Sequence, residues 1–331
     1  MKKNLSNQYK NKKILLTGGT GSFGSTFIDY LLKYASPKQI IIYSRDEMKQ
    51  WMLEEKLKKY NKINYIIGDV RDAEKTHNVL RGIDYVVHAA ATKIVPTAER
   101  NPEECIKTNV FGAMNIINAS IANKVKKVVA LSTDKASSPI NLYGASKLCS
   151  DKLFTSQVNN NLNTVFSVVR YGNVLGSRGS IIPFFLSLKD KTELPITHPE
   201  MTRFFLTLDE AVEFVSFAFQ NMTGGEIFVK KLNAIKITDL AKLINPLARH
   251  KIVGIREGEK IHEQMIGVDD SMFTVEFKNH YEILPNFKIK NLKIKNKAKK
   301  VNSDFLYSSS TTDKIDTDYL IKKINEIKKR T

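Results

Sequence analysis

Residues 13–34 read KILLTGGTGSFGSTFIDYLLKY. A short apolar run of buried-strand type leads through glycines into apolar residues at helical spacing. Gly18, Gly21 and Gly24 fall in the turn. Glycines there permit a tight turn and close approach of backbone to a pyrophosphate, and the following helix N-terminus offers free N–H groups and a positive dipole end. A glycine triplet alone marks only a tight turn. Placed between a strand and a helix, it meets the structural condition of the dinucleotide fingerprint. Thr17, Gly18, Thr20, Gly21, Ser22, Phe23 and Gly24 are therefore candidate cofactor contacts.

The rhythm continues. QIIIYS (39–44), INYIIGDV (63–70), DYVVHAA (84–90), KVVALST (127–133) and TVFSVVRYGNV (164–174) read as strands. Helical patterns intervene, including EECIKTNVFGAMNIINASIANK (103–124) and YGASKLCSDKLFTSQ (143–157). Alternation of this kind predicts an α/β fold, a Rossmann-type doubly wound parallel sheet with right-handed crossovers. After about residue 175 the elements shorten, which suggests a smaller C-terminal lobe packed at the strand ends. The expected division is 1–175 for the dinucleotide domain, 176–285 for a mixed α/β lobe, and 286–331 for a basic C-terminal tail or edge elements.

Where an acid for the ribose 2′-hydroxyl of NAD is usual, the second strand ends in Ser44 and Arg45. Arg45 suits a 2′-phosphate, which favours NADP, although Asp46 follows it directly. Asp69 and Val70, at the end of the third strand run, stand where an adenine edge can be read, and Ala89, Ala90 and Lys93 lie at and just past the end of the fourth.

The stretch LSTDKASSPINLYGASK (131–147) carries two acid–base pairs. Tyr143 and Lys147 are four apart and project from one helix face. A free tyrosine, with a pKa of about 10, is a poor base at neutral pH. A lysine cation and the positive charge of a nicotinamide lower it, and the phenolate can then take a hydroxyl proton while hydride leaves carbon. Thr133 ends the preceding strand, followed by Asp134 and Lys135. Alone, Asp134–Lys135 reads as a capping acid beside a surface lysine.

Composition narrows the classes. The 331 residues, 42% hydrophobic and 26% charged, are those of a globular protein. No apolar run reaches the ~18 residues of a membrane span and no signal-peptide pattern opens the chain, so no membrane insertion is expected. Two cysteines in helical patterns argue against a disulfide framework and for a reducing compartment. The net charge of +18 is spread along the chain. Its one dense stretch, KIKNLKIKNKAKK (288–300), lacks aromatic interleaving and reads as a solvated edge or tail, with no nucleic acid implied. His88, His198 and His262 lack metal-ligand spacing, so no metal is expected, and His88, on an apolar strand, reads as a satisfied core histidine.

Beyond these readings, the chain resembles the extended short-chain dehydrogenase/reductases, nucleotide-sugar branch. The blocks YSRDEMKQ, GDVRD, HAAATKIVPTAERNPEECIKTNV, LSTDKASSPINLYGASKLCSDKLF, RYGNVLGSRGSIIPFF, MTRFF, GGEIFV and IREGEKIHE occur in order. Together they resemble the inverting UDP-N-acetylglucosamine 4,6-dehydratases over about residues 12–280. The resemblance implies transient oxidation at carbon 4 with Tyr143 as base, elimination of water across carbons 5 and 6, and hydride return to carbon 6. It assigns Lys135 to the carbon 5 proton and Asp134 to the departing water, and makes the smaller C-terminal lobe the substrate-binding lobe. It also implies a cytoplasmic homo-oligomer, dimer or hexamer, acting on UDP-N-acetylglucosamine in pseudaminic acid biosynthesis, with Lys93, Asn173, Arg203, Arg256 and Glu259 toward the substrate and Asn109 structural. Retaining relatives have methionine where Tyr143 stands. Departures from the family pattern are Ile94, Glu257 and Lys230-Lys231. The alternatives are a UDP-sugar 4-epimerase or retaining dehydratase of the same fold and, more remotely, a non-catalytic NADP-binding or basic polyanion-binding protein.

Overall fold

The computed structural model describes residues 6–160, 163–177, 179–286 and 298–329. Its centre is a sheet of ten strands. Six of these alternate with helices along the first half of the chain: β1 (Lys13–Thr17), β2 (Gln39–Ser44), β3 (Ile63–Ile67), β4 (Tyr85–His88), β5 (Lys127–Thr133) and β6 (Val165–Tyr171). They lie side by side in the order β3-β2-β1-β4-β5-β6, all parallel. The order reverses beside β1, between β2 and β4, and in open α/β sheets that switch point is where ligands meet the carboxyl ends of the strands. The strands are apolar on both faces because helices cover both: Ile14, Leu15, Val86, Val87, Val128 and Val129 are fully enclosed.

The second half supplies the remaining strands. After the short β7 (Asn173–Val174), β8 (Glu193–Ile196) and β9 (Thr202–Leu206), β10 (Ile227–Lys230) returns to the main sheet and pairs parallel with β6. A small sheet joins β7, β9 and β11 (Ala234–Lys236). β12 (Arg249–Ile252) pairs with β8. Beyond β13 (Gln264–Ile266), β14 (Thr274–Glu276) and β15 (His280–Ile283) extend the main sheet antiparallel. A second hydrophobic cluster, built around Phe185, Leu194, Phe205 and Leu240, lies apart from the sheet's core.

Most of the basic stretch at 288–300 lies outside the described residues; Lys299–Lys300 form β16 at the sheet edge. The chain then comes back inward. β17 (Tyr307–Ser308) pairs with β13, and the terminal helix Thr317–Lys328 buries Leu320 and Ile324 in the second cluster.

The helix expected over 103–124 is continuous but contains a π turn at Lys107–Phe111. Such turns carry an extra residue and often mark functional sites. Here the turn carries buried Asn109, whose side chain accepts from the Thr92 N–H at 2.8 Å and donates to the Thr92 carbonyl at 2.9 Å and to Ser146 Oγ at 2.9 Å. It ties the loop after β4 to the helix of Tyr143. Among the described residues, no helix is long and apolar enough to cross a membrane.

Candidate active site

The glycine turn has the shape its sequence predicts. Gly18 has φ +64°, and a Cβ there would lie 3.0 Å from Ala90 N and 3.1 Å from the Ala89 carbonyl carbon. A Cβ on Gly24 would lie 2.5 Å from Gly19 Cα. Helix α1 (Ser22–Tyr34) begins after Gly21, which has no side chain to cap it, so the positive end of the helix faces the glycine turn. The cradle therefore fits a dinucleotide pyrophosphate. Ser22 and Phe23 open α1, and Thr20 Oγ1 donates to Ser44 Oγ at 3.4 Å.

Thr17 is buried, and its hydroxyl oxygen accepts from the Ala89 and Ala90 N–H groups at 3.0 and 3.1 Å. His88 Nδ1 lies 2.9 Å from the same oxygen. Burial, with the Lys147 charge in addition, pushes His88 down to about 3. It is the satisfied core histidine its strand suggested.

At the adenosine end, Arg45 is mostly exposed and 3.6 Å from Asp69. Asp69 also accepts from Arg71 Nε at 2.8 Å. Burial opposes the Asp69 charge, but the Arg71 hydrogen bonds and charge outweigh it and keep the carboxyl below its usual range. Val70 is buried, and Lys93 is exposed in the loop after β4.

The chemistry gathers at the end of β5. Thr133 caps a single 3₁₀ turn, Asp134–Ala136, and its hydroxyl donates to Asp134 Oδ1 at 2.9 Å. Lys135 Nζ lies 3.1 Å from that oxygen. Helix α2 (Leu142–Ser156) starts with the Asn141 side chain as its cap and carries Tyr143 and Lys147. It sits hard against the 3₁₀ turn, because a Cβ on Gly144 would lie 2.2 Å from the Lys135 carbonyl oxygen. Burial pushes the Tyr143 phenol up to about 12, while the Lys135 charge and a Thr133 hydrogen bond pull the other way. Lys135, rather than the helical neighbour Lys147, is thus the cation that most favours phenolate. Lys147 is buried and held below its usual value by that burial, with Asp151 one turn on supporting its charge. Asp151 accepts from Ser132 Oγ at 2.8 Å and pairs with buried Arg170 at 3.2 Å.

The loop before β13 closes over this cluster. Asn141 donates to the Gly258 carbonyl at 2.7 Å, and Lys260 Nζ to the Ser137 carbonyl at 2.7 Å. Glu263 is nearly inaccessible, with Oε1 3.0 Å from Lys135 Nζ and 3.7 Å from Arg203 Nε. Arg203 is buried, and its guanidinium donates to the carbonyls of Thr202, Lys260 and Ile261 at 2.7, 2.9 and 3.0 Å. It holds the loop. Arg256 is largely exposed and pairs with Glu259 at 2.9 Å. Asn173, on β7, has a buried Oδ1 with no hydrogen-bond partner among the described residues.

Sequence reasoning assigned no role to Glu263, Lys260, Asp151 or Arg170. Glu263 does end the block IREGEKIHE, an acid entering the apolar run of β13, and an acid in such a place needs a partner.

The polysaccharide biosynthesis protein family model matches residues 14–285. The inverting UDP-N-acetylglucosamine 4,6-dehydratase of Campylobacter jejuni (serotype O:23/36, strain 81-176) is 52% identical, covering 91% of this chain and 93% of its own length. The UDP-glucose 4-epimerase of Rickettsia bellii (strain RML369-C) is 42% identical over 83% of each chain. The solved structure of Pen from Bacillus thuringiensis superposes with a TM-score of 0.88 at 34% identity, covering 97% of this chain and 99% of that one. With a glycine cradle at the switch point and a tyrosine–lysine helix after β5, the chain belongs to the polysaccharide biosynthesis protein family, on the nucleotide-sugar branch of the extended short-chain dehydrogenase/reductases.

Proposed function

We propose that this chain is a 5-inverting UDP-N-acetylglucosamine 4,6-dehydratase, a hydro-lyase that uses NADP. The observation that carries the reading is the Asp134–Lys135 pair, 3.1 Å apart on a buried turn against which the helix of Tyr143 packs. A bound nicotinamide supplies reversible hydride exchange with the sugar carbons. The exposed Arg45 and the adjacent Ser44 suit a 2′-phosphate, and this supports NADP over NAD.

Tyr143 takes the 4-hydroxyl proton as that carbon becomes a ketone, and the Lys135 charge supports the phenolate. The ketone acidifies the carbon 5 hydrogen. Burial pushes the Asp134 carboxyl up, and Glu263 adds to this against the pull of Lys135. Burial works against the Lys135 charge, but Asp134 and Glu263 outweigh it and hold the ammonium above its usual range. A proton passing from Lys135 to Asp134 leaves a neutral amine beside a neutral acid. The amine takes the carbon 5 proton, and Asp134 gives its proton to the departing 6-hydroxyl. Lys135 ends as ammonium and Asp134 as carboxylate, so water elimination returns the pair to its starting state.

Arg256, Asn173 and Lys93 are the proposed substrate contacts, with Arg203 and Glu259 shaping the loop that presents Arg256. The same reading places the enzyme in the cytoplasm as a dimer or hexamer, and the exposed Ile106, Phe111 and Met114 support self-association. The match to a 4-epimerase favours a second reading, in which Tyr143 works and Asp134–Lys135 has no water to expel.

Incubation with UDP-N-acetylglucosamine in heavy water, with NADP and NAD in parallel, separates these readings by NMR. A 4-keto-6-deoxy product inverted at carbon 5, formed faster with NADP, is expected. Recovery of only the 4-epimer, or of unchanged sugar, sinks the dehydratase. Lys135→Met should bind cofactor and fail to dehydrate, and full dehydration by that variant removes the base assignment.

A further inference from the structure

Lys135 has a second carboxylate, contributed from far along the chain. Glu263 Oε1 is 3.0 Å from Lys135 Nζ, about the same distance as Asp134 Oδ1 at 3.1 Å. The ammonium is therefore held by two carboxylates. Glu263 is itself fixed through its backbone. Its N–H donates to Ser309 Oγ at 2.9 Å, and its carbonyl accepts from the Ser309 N–H at 2.9 Å. Ser309 Oγ in turn lies 2.7 Å from Thr202 Oγ1. Arg203 Nε backs Oε1 at 3.7 Å, while Oε2 is buried with no hydrogen-bond partner among the described residues. An acid this enclosed and only half satisfied is costly to keep unless its charge is used.

Resting on the dehydratase reading above, we propose that Glu263 is a positioning residue for water elimination: it holds Lys135 beside Asp134, ready for the carbon 5 proton, and reaches the oxidation by Tyr143 only through Lys135. The charged or titratable groups around it are Lys135 and Asp134 from the turn after β5, Arg203 from β9, and Lys260 from its own loop. Removing the Glu263 charge weakens the hold of both Lys135 and Asp134 on their shared proton. Each then releases it at lower pH.

Glu263→Gln keeps the shape and removes the charge. In the holoenzyme its kcat for dehydration should fall on the order of tenfold to a hundredfold, the range expected when a reacting group is displaced by ~1 Å. The acidic limb of its pH–kcat profile should move to lower pH, and KM for the sugar nucleotide should change little. Oxidation at carbon 4, read as the transient absorbance of reduced nicotinamide, should persist, whereas solvent deuterium entry at carbon 5 should slow with kcat. Unchanged kcat and pH profile overturn the assignment. So does equal loss of oxidation and elimination, the mark of a general structural role. Glu263→Asp keeps the charge but draws it back, and should lose elimination with a smaller shift of the pH limb than the glutamine variant shows. It carries the test alone if the glutamine variant does not fold, and wild-type elimination in Glu263→Asp then overturns the role. A wild-type enzyme that forms no keto-deoxy sugar sinks the functional reading instead, before any variant is compared.

Discussion

Lys135 shows how little a residue's surroundings follow from its neighbours in sequence. Asp134 is adjacent, and the pair is visible in DKASS. What sets the lysine's charge is that pair together with Glu263, and no local pattern announces the second carboxylate. Burial disfavours an isolated ammonium, so the two acids decide the sign of the shift. His88 was the more legible residue, since a lone histidine on an apolar strand is most simply neutral and hydrogen-bonded. Its folded pKa is depressed to about 3, so the neutral form contributes stability above the unfolded value, and this is lost as pH falls through the window below it. Between about pH 7 and about pH 4.5 the loss should be roughly 2–3 kcal/mol, at ~1.4 kcal/mol per pKa unit. His88→Asn, which keeps a hydrogen-bonding group toward Thr17, should flatten that part of the stability curve in urea titrations. An acid slope identical to wild type would remove His88 from the account.

At the scale of elements, strand–helix alternation was readable because its periods are local. The apolar runs over 39–44, 84–90 and 127–133 became β2, β4 and β5 with ends shifted by few residues. The π turn at Lys107–Phe111 was not readable, because it serves a contact between Asn109 and a loop that sequence does not place beside it. The contact between α2 and the Asp134–Ala136 turn carries the next prediction. Gly144 allows that contact, and a Cβ there would meet the Lys135 carbonyl oxygen at 2.2 Å. Gly144→Ala should force helix and turn apart, costing about 1–3 kcal/mol as overpacking does. Because Tyr143 rides on that helix, kcat should fall as well as Tm. Thermal unfolding and turnover matching wild type would mean that the helix shifts freely, against the packing seen here.

Over the whole molecule, the region read as a basic tail contributes to both clusters. Tyr307 packs into the main core, Ser309 clamps the backbone at Glu263, and Leu320 and Ile324 enter the second cluster. The pattern of the terminal helix is amphipathic, but its weight is carried by few apolar residues amid lysines, so charge masked it. Leu320→Ala should cost roughly 2–5 kcal/mol, the range for a truncated core leucine. At ~2–4 °C per kcal/mol, that is a fall in Tm of several degrees or more, with activity retained well below the transition. Differential scanning calorimetry showing an unchanged Tm would place this helix outside the cooperative unit.

The sequence by itself determined what depends on spacing along the chain: the glycine turn before α1, the alternation that makes a parallel sheet, and Tyr143 and Lys147 on one helical face. These follow from backbone geometry within a few residues. Tertiary structure alone decided that Arg203 holds a loop, that Lys135 rather than Lys147 most favours a Tyr143 phenolate, and that Glu263 joins Asp134 at Lys135. The reason is that Coulomb and desolvation energies depend on distance and burial in space, and folding sets both by packing segments that are remote in sequence.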